Sequence, residues 1–427
     1  MDAIRKYSLN PFVRNYIKIF SVDVLVKGSG FLLLPVYLTL MSQDEFGLYG
    51  YLIAIISTFS LVFNLGIYAS QSKLYHDYPS ERRGEVLYTL NVMLLGFLMF
   101  LFVLVFLFNL DYALIAILFK NPLDYPVYRI PVLLGVVTSV YAMLLVNYFL
   151  TSENIRMVQI FNFLRALLIH TIVVTILWNV DGDSAFLRIK YSILLELGLI
   201  LSFAYVYIQQ MRAHFDVEVA RRALSIGFPI MISAALGVFI NLSDRYFIDK
   251  FGSMQDMSRY NLALTLAGII PFVFASFQNV WLPQLMKEKN PEEGRIRNRK
   301  MVLRLTIGLL LISAGIMTFL KVLLWTGWIN EKYADALPLL PIVLGTAVLA
   351  SITGMYSNQL IYLEKLSAII FVGLVVAILS VFLNLQLVPK WNIYGAAISS
   401  FIANGFFLVV YVILTARFHK QRMRTIG

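Results

Sequence analysis

Long apolar stretches separated by short polar loops run through the whole sequence. A helix needs about 20 predominantly apolar residues to cross the hydrocarbon core of a bilayer. Twelve segments are long enough, at 17–41, 47–70, 87–109, 127–150, 157–179, 186–209, 224–249, 258–284, 301–325, 337–361, 366–388 and 393–416. The stretch from Asp111 to Phe119 is too short to cross and is predicted to lie at the interface. The pattern predicts an all-α membrane protein with twelve transmembrane helices.

The basic residues of the loops predict the orientation. Of the 35 Lys and Arg residues, 22 fall on the side that holds both termini and nine on the opposite side. The remaining four, Lys18, Lys27, Arg165 and Arg245, lie at or within spans. Because short cytoplasmic loops carry the excess of Lys and Arg, both termini are predicted to be cytoplasmic. The net charge of +11 therefore reflects topology and does not indicate nucleic-acid binding.

The polar connection after the sixth span divides the spans six and six. It predicts an N-terminal six-helix lobe over 1–210, a cytoplasmic linker over 211–223 and a C-terminal six-helix lobe over 224–427. Two six-span halves have the same orientation in the membrane, as parallel repeats do. A shift of 211 residues places FGLYGYLIA, from Phe46, over MSRYNLALT, from Met257. The halves are predicted to be related bundles.

Composition argues against an enzyme. Hydrophobic residues make up 59% of the chain and charged residues 14%, against about 25% charged in soluble domains. The absence of cysteine excludes disulfides, thiolate metal sites and cysteine nucleophiles. The four histidines are scattered without metal-ligand spacing, and no GxxxxGK phosphate loop occurs. The loops are too short for a soluble catalytic domain, so we expect no metal and no cofactor.

Two charges in the first span point towards transport. An unpaired charge at mid-bilayer costs about 3 kcal/mol on insertion scales, yet Asp23 and Lys27 lie inside this span. Four residues apart, they share a helix face. They either neutralise each other in a helix contact, or Lys27 faces an anionic substrate while Asp23 orients it or exchanges a proton. Gly28, Gly30 and Pro35 allow the helix to bend, as a moving gate requires.

Four further charges lie in later spans. Asp244 and Arg245 are adjacent near the outer end of span seven, about 100° apart on a helix, so each needs another partner. They either snorkel or form a gate ion pair, or they contact substrate. Arg165 either snorkels from span five or contacts substrate. Glu196 in span six is too deep to reach water and needs a partner or a proton, which makes it a candidate coupling-ion site. His170 in span five is more often a hydrogen-bonded structural residue.

Uncharged amide side chains also recur along the spans. They are Asn64, Gln71, Asn147, Asn162, Asn241, Gln278, Asn279, Asn358, Gln359, Asn384 and Asn404. Interhelical hydrogen bonds, worth under about 1 kcal/mol each, explain most of them. A subset that lines a wet cavity would suit sugar hydroxyls.

The first two spans are similar to the start of polysaccharide-synthesis flippases of the O-antigen transporter type. The resemblance rests on Pro35, on an acidic turn leading into FGLY (46–49), and on NLG (64–66). In span seven, SDR (243–245) followed by FG (251–252) is similar to the family's motif. The length and the twelve spans with cytoplasmic termini match across the whole chain. These flippases belong to a superfamily that includes multidrug and toxin extruders and lipid II flippases.

The resemblance implies a V-shaped pair of six-helix lobes around a central cavity in the bacterial cytoplasmic (inner) membrane. The cargo would be an oligosaccharide on undecaprenyl diphosphate, moved from the cytoplasmic to the periplasmic leaflet by alternating access. Besides membrane lipid, polysaccharide polymerase and chain-length machinery are the expected partners. Cationic cavity residues would hold the diphosphate, and acidic residues would serve as charge partners or coupling sites. The candidates are Lys27, Arg165 and Arg245 for the first role, and Asp23, Glu196 and Asp244 for the second.

The alternative is a cation-coupled multidrug or toxin exporter of the same superfamily. Drug cations favour an acidic cavity, and such an exporter would use Asp23 or Glu196 for coupling. Three intramembrane cations against three carboxylates do not decide between the two functions. Only the motif resemblance favours the lipid-linked sugar.

Overall fold

The structure is a computed structural model that describes residues 33–121, 123–286, 291–363 and 365–426. The helices of these residues, numbered here in chain order, are α1 Leu34–Leu40, α2 Gln43–Phe63, α3 Ile67–Asp77, α4 Arg83–Phe108, α5 Leu110–Leu118, α6 Tyr125–Thr151, α7 Ile155–Asn179, α8 Ser184–Ile208, α9 Val217–Phe251, α10 Met254–Ala267, α11 Ile269–Met286, α12 Pro291–Trp325, α13 Ala336–Tyr362 and α14 Leu366–Ile426. Two short 3₁₀ segments cover Ser80–Arg82 and Glu331–Tyr333. Over the described ranges no strand occurs, which confirms the all-helical prediction.

Ten helical segments in the described part of the chain are long and apolar enough to cross a membrane. The last of them is interrupted at Asn392, whose φ of 48° is left-handed, and this break separates the predicted spans eleven and twelve. Most of the first predicted span lies outside the described residues. The predicted interfacial piece is α5, a helix of nine residues. The chain is a multi-pass membrane protein.

The chain forms two compact units, Met1–Ala235 and Leu236–Gly427, and the boundary falls within α9. In the first unit, α8 packs against α6 and α7, and α2 packs against α6 and α8. In the second unit, α13 is central and packs against α14, α12, α10 and α11. Each unit therefore builds its interior from helices close in sequence.

The same helix start occurs in both units. Ser42 and Glu45 form a capping box at the start of α2, and Ser253 and Asp256 form one at the start of α10. The two boxes are 211 residues apart, the shift at which the sequence halves align. Each acidic side chain also contacts a residue just before a predicted span, the sixth in the first unit and the twelfth in the second. Glu45 accepts the backbone N–H of Ser184 at 2.7 Å, and Asp256 accepts the amide of Asn392 at 2.6 Å.

Contacts between two amide side chains also occur in both units, and one of the two residues in each contact follows the same shift, whereas the partners Gln71 and Gln278 are 207 residues apart. The amide of Asn147 donates to Gln71 Oε1 at 3.3 Å, and Gln278 donates to Asn358 Oδ1 at 2.9 Å. Asn147 and Asn358 are again 211 residues apart. These amides hold neighbouring helices of one unit together, as expected for most of the intramembrane asparagines and glutamines.

Candidate functional site

Helices α1, α2, α6, α7 and α8 enclose a polar cavity of about 320 Å³ in the first unit. Its charged groups are Arg165 on α7 and Arg188 and Glu196 on α8. Arg188, Ser192 and Glu196 recur every four residues and so lie on one face of α8. Side-chain hydroxyls line the rest of its polar wall, at Tyr37, Tyr49, Ser57, Thr138, Ser139 and Ser192.

Arg188 is held between two aromatic rings. Its guanidinium carbon lies 3.5 Å from the ring centroid of Tyr37 and 3.8 Å from that of Tyr49. The residue is only 8% exposed, and its guanidinium donates to Met41 Sδ at 3.4 Å. Among the described residues it forms no ion pair with a carboxylate. The rings stabilise the cation through their π faces and fix its position without themselves supplying a negative charge.

Arg165 is held differently. Its Nη2 lies 2.6 Å from Glu196 Oε1, and its side chain is 40% exposed where that of Glu196 is 12% exposed. The sequence marked both residues without indicating that they are partners. This ion pair joins α7 to α8 and gives Glu196 the partner that its depth requires.

His170 joins α7 to α1. Its Nδ1 lies 3.0 Å from the hydroxyl of Tyr37, the tyrosine that stacks on Arg188. It is therefore a hydrogen-bonded residue, in agreement with the structural interpretation, and it also lines the cavity.

A second cavity of about 570 Å³ shares Ser57, Ser139 and Arg165 with the first. Its other polar lining residues are Ser60, Tyr68, Asn147 and Asn162. Asn147 is fixed in place, since its amide donates to the Tyr68 carbonyl and to Ser72 Oγ. The two cavities adjoin at these shared residues. The guanidinium groups lie in the first cavity, and hydroxyl and amide groups form the polar part of the wall of the second.

The second unit contains a cavity of about 330 Å³ with a carboxylate in its wall. Asp244 is 3% exposed and accepts hydrogen bonds from Tyr260 at 2.6 Å, Asn384 at 2.8 Å and Ser400 at 2.5 Å. Arg245 instead donates to Asn261 Oδ1 at 3.1 Å. The neighbours thus have separate partners, as their angular separation on the helix requires.

The remaining predicted site residues are at the start of the chain. Pro35 lies in the first turn of α1 and is buried. Asp23, Lys27, Gly28 and Gly30 lie outside the described residues, so their roles stay predictions.

Sequence reasoning missed Arg188. It was counted among the loop cations on the side opposite the termini, because it lies only four residues from the start of α8. The available signal was its spacing with Ser192 and Glu196, which puts the three on one helix face. The sequence did not identify Tyr37 and Tyr49 as the partners of Arg188, because the hydropathy of a span does not show which neighbouring helix each of its side chains faces.

A family model described as polysaccharide biosynthesis protein matches residues 12–289. The chain belongs to this family. The match covers every residue that lines the first cavity, called the cationic cavity here because it contains Arg165 and Arg188, and it reaches into the second unit. No curated protein sequence matches the chain.

Solved structures share the fold of this family member. An inward-facing multidrug resistance MATE family transporter of the MOP superfamily is 12% identical, with a TM-score of 0.73 over 96% of this chain and 100% of its own. The lipid II flippase MurJ, in an inward closed conformation, is 15% identical, with a TM-score of 0.73 over 93% of this chain and 87% of its own. A MOP superfamily transporter from Pyrococcus furiosus, described as having a binding pocket of reverse polarity, is 13% identical with a TM-score of 0.59 over 96% and 95%. At these identities the likeness establishes the fold.

Proposed function

We propose that this protein is a flippase that moves undecaprenyl-diphosphate-linked oligosaccharide units, of O-antigen or a related surface polysaccharide, from the cytoplasmic to the periplasmic leaflet of the bacterial inner membrane. Arg188 carries the proposal. A buried cation inside a membrane bundle is costly unless an anion accompanies it. The guanidinium of Arg188 is buried, fixed by two rings, and has no carboxylate partner in the described structure.

The polar groups of the two adjoining cavities suit a glycosylated diphosphate. A guanidinium binds phosphate oxygens through parallel N–H donors, and hydroxyl and amide groups replace the water contacts of sugar hydroxyls. Without such replacement each unpaired hydroxyl in hydrocarbon costs several kcal/mol. The polyprenyl chain has no such requirement and would stay in lipid.

The exporter alternative finds less support in this cavity. Organic cations favour a negative site, and the described lining residues of the first unit's cavity include two guanidinium groups and one carboxylate. The family match, to proteins of polysaccharide biosynthesis, also favours an anionic glycolipid.

Energy coupling in this proposal involves Asp244. Its carboxylate faces a cavity, is almost completely buried, and receives hydrogen bonds from neutral donors. Such a group can alternate between a charged and a neutral state as a cation binds and leaves. Lys27 and Arg245 are further proposed contacts of the diphosphate, and Asp23 a further charge partner.

Flipping measured in proteoliposomes tests the function. Wild-type protein should move a fluorescent lipid-linked oligosaccharide between leaflets. Arg188→Ala should slow this by roughly 10- to 100-fold, the equivalent of one charge-assisted hydrogen bond. Lys190→Ala is the matched control, because Lys190 lies on the same helix but does not line the cavity. Accumulation of organic cations without flipping would contradict the proposal and support an exporter.

A further inference from the structure

The two guanidinium groups of the cationic cavity are held by different means. Aromatic rings hold Arg188, and a carboxylate holds Arg165. An arriving anion can therefore bind Arg188 without displacing any acid. To bind Arg165 through the Nη2 that faces Glu196, it has to replace that carboxylate.

We propose that the anionic headgroup displaces Glu196 from Arg165 and that the freed carboxylate takes up one proton, so that substrate binding and proton uptake are linked at one site. This inference rests on the proposed function, because it takes a diphosphate diester as the ligand. No covalent bond changes. One ion pair is exchanged for another, and the proton comes from the water that reaches the cavity.

The charge balance of the cavity favours the uptake of a proton. Over the part of the chain that the structure describes, two guanidinium groups and one carboxylate line the cavity and give it one net positive charge when it is empty. A diphosphate diester brings two negative charges and would leave one negative charge in excess. A proton on Glu196 makes the occupied cavity neutral.

The position of Arg165 makes this exchange accessible. Its side chain is 40% exposed, and it lines both cavities. A ligand that occupies the larger cavity with its sugar and the smaller one with its phosphates contacts Arg165 at their junction. The ion pair thus lies where headgroup and sugar meet.

Other ionisable groups face the same space and have to be separated from Glu196. They are Arg165 and His170 from α7, Arg188 from α8 itself, Tyr49 from α2 and Tyr37 from α1, while the lining residues of α6 are not ionisable. His170 is the rival proton acceptor, since an imidazole can also take up a proton near neutral pH.

Calorimetry of ligand binding tests the proposal. The probe is a farnesyl diphosphate-linked sugar, a diester whose phosphates do not titrate near neutral pH. Titrations of detergent-solubilised protein in buffers of different ionisation enthalpy report the protons taken up per ligand. We expect uptake approaching one for the wild type. The affinity should fall by up to tenfold per pH unit as pH rises, the limit for linkage to one proton.

Variants locate the proton. Glu196→Gln should bind the probe with no proton uptake and with an affinity that does not change with pH. Glu218→Gln is the matched control, because Glu218 is exposed at the start of α9, outside the cavity, and should behave like wild type. His170→Asn should retain the uptake.

The outcomes separate the two proposals. Wild-type protein that fails to bind the probe contradicts the proposed function. Binding of the probe to wild-type protein without proton uptake overturns only the linkage between binding and protonation. This calorimetric result needs no variant. Uptake that persists in Glu196→Gln but disappears in His170→Asn also overturns it and assigns the proton to the histidine.

Discussion

At the scale of single residues, the aromatic clamp on Arg188 distinguishes this cavity from an ordinary helix contact. Tyr37 has two roles, since its ring stacks on Arg188 while its hydroxyl contacts His170. The clamp fixes a guanidinium without neutralising it, which a carboxylate partner could not do. Conservative substitutions can separate the two roles of Tyr37.

Tyr37→Phe should keep the stacking and lose the hydrogen bond to His170. We expect a loss of about 1 kcal/mol in the free energy of unfolding and flipping close to that of wild type. Tyr37→Leu should also lose the cation–π contact, worth about 2 kcal/mol where the cation is desolvated, and should slow flipping roughly tenfold or more. Thermal unfolding in detergent and the proteoliposome assay measure the two effects. Equal flipping by the two variants would show that the ring does not position Arg188.

At the scale of helices, one close backbone crossing and two ion pairs attach the start of α9 to the first unit. Gly66 has a φ of 67°, and a Cβ there would overlap the carbonyl of Gly227. Beside this crossing, Arg222 pairs with Asp77 at 3.0 Å, and Arg82 pairs with Asp216 at 2.6 Å. The first part of α9 therefore belongs to the first unit, although the helix continues into the second.

Gly66→Ala should destabilise the protein by about 2 kcal/mol or more, because a left-handed conformation and a backbone overlap are combined at one residue. Gly96→Ala is the control. Gly96 lies within α4, a Cβ there meets nothing within 4 Å, and the change should stabilise by about 0.5–1 kcal/mol. Thermal unfolding of both variants measures the effects. A neutral Gly66→Ala would contradict the close crossing.

Asp216 caps α9 and should give the protein a pH-dependent stability. Partial burial by itself raises the pKa of Asp216, but the N–H groups of Glu218 and Val219 and the Arg82 guanidinium outweigh it, so the pKa lies below its usual 3.8. A folded pKa below the unfolded one means that the stabilisation is complete above about pH 4 and is lost as pH falls through the folded pKa.

Asp216→Ala should therefore cost about 1 kcal/mol at neutral pH, as the loss of a cap does. The difference from wild type should shrink as the pH falls below about 4. Unfolding temperatures of both proteins across this range provide the measurement, with Asp181→Ala, in an exposed loop, as control. A difference that stays constant down to pH 2 would rule out a charged cap.

At the scale of the whole molecule, the distribution of basic residues predicts the orientation, and the chain is well suited to a direct test because it has no cysteine. Single cysteines introduced at exposed loop positions report on which side of the membrane each loop lies. Ser80 precedes α4 and Asp181 precedes α8, and both are exposed.

Ser80→Cys should resist a membrane-impermeant maleimide in spheroplasts and react after lysis, whereas Asp181→Cys should react in both. This follows from the excess of Lys and Arg on the side that holds Ser80. The cysteine-free wild type controls for background labelling. The reverse labelling pattern would invert the predicted topology.

Much of the architecture could be predicted from the sequence. The apolar segments from the second span onward match the helices, and the short piece after the third is a separate nine-residue helix. The shift of 211 residues, supported by little residue identity, recurs in the two capping boxes and in the positions of Asn147 and Asn358, each of which contacts a glutamine. These features depend on local composition and on short-range spacing, which a single sequence shows.

The sequence by itself determined which segments enter the membrane and which charges they carry, because the cost of placing a residue in hydrocarbon depends on that residue and its near neighbours. Only the tertiary structure decided which charges meet. Arg165 faces Glu196, and Arg188 lies between Tyr37 and Tyr49, through contacts set by how each helix is rotated and which helix lies beside it. Hydropathy does not specify those two quantities, since many rotations bury the same apolar surface. A cation that forms no ion pair with any described carboxylate therefore became visible only in the packed bundle.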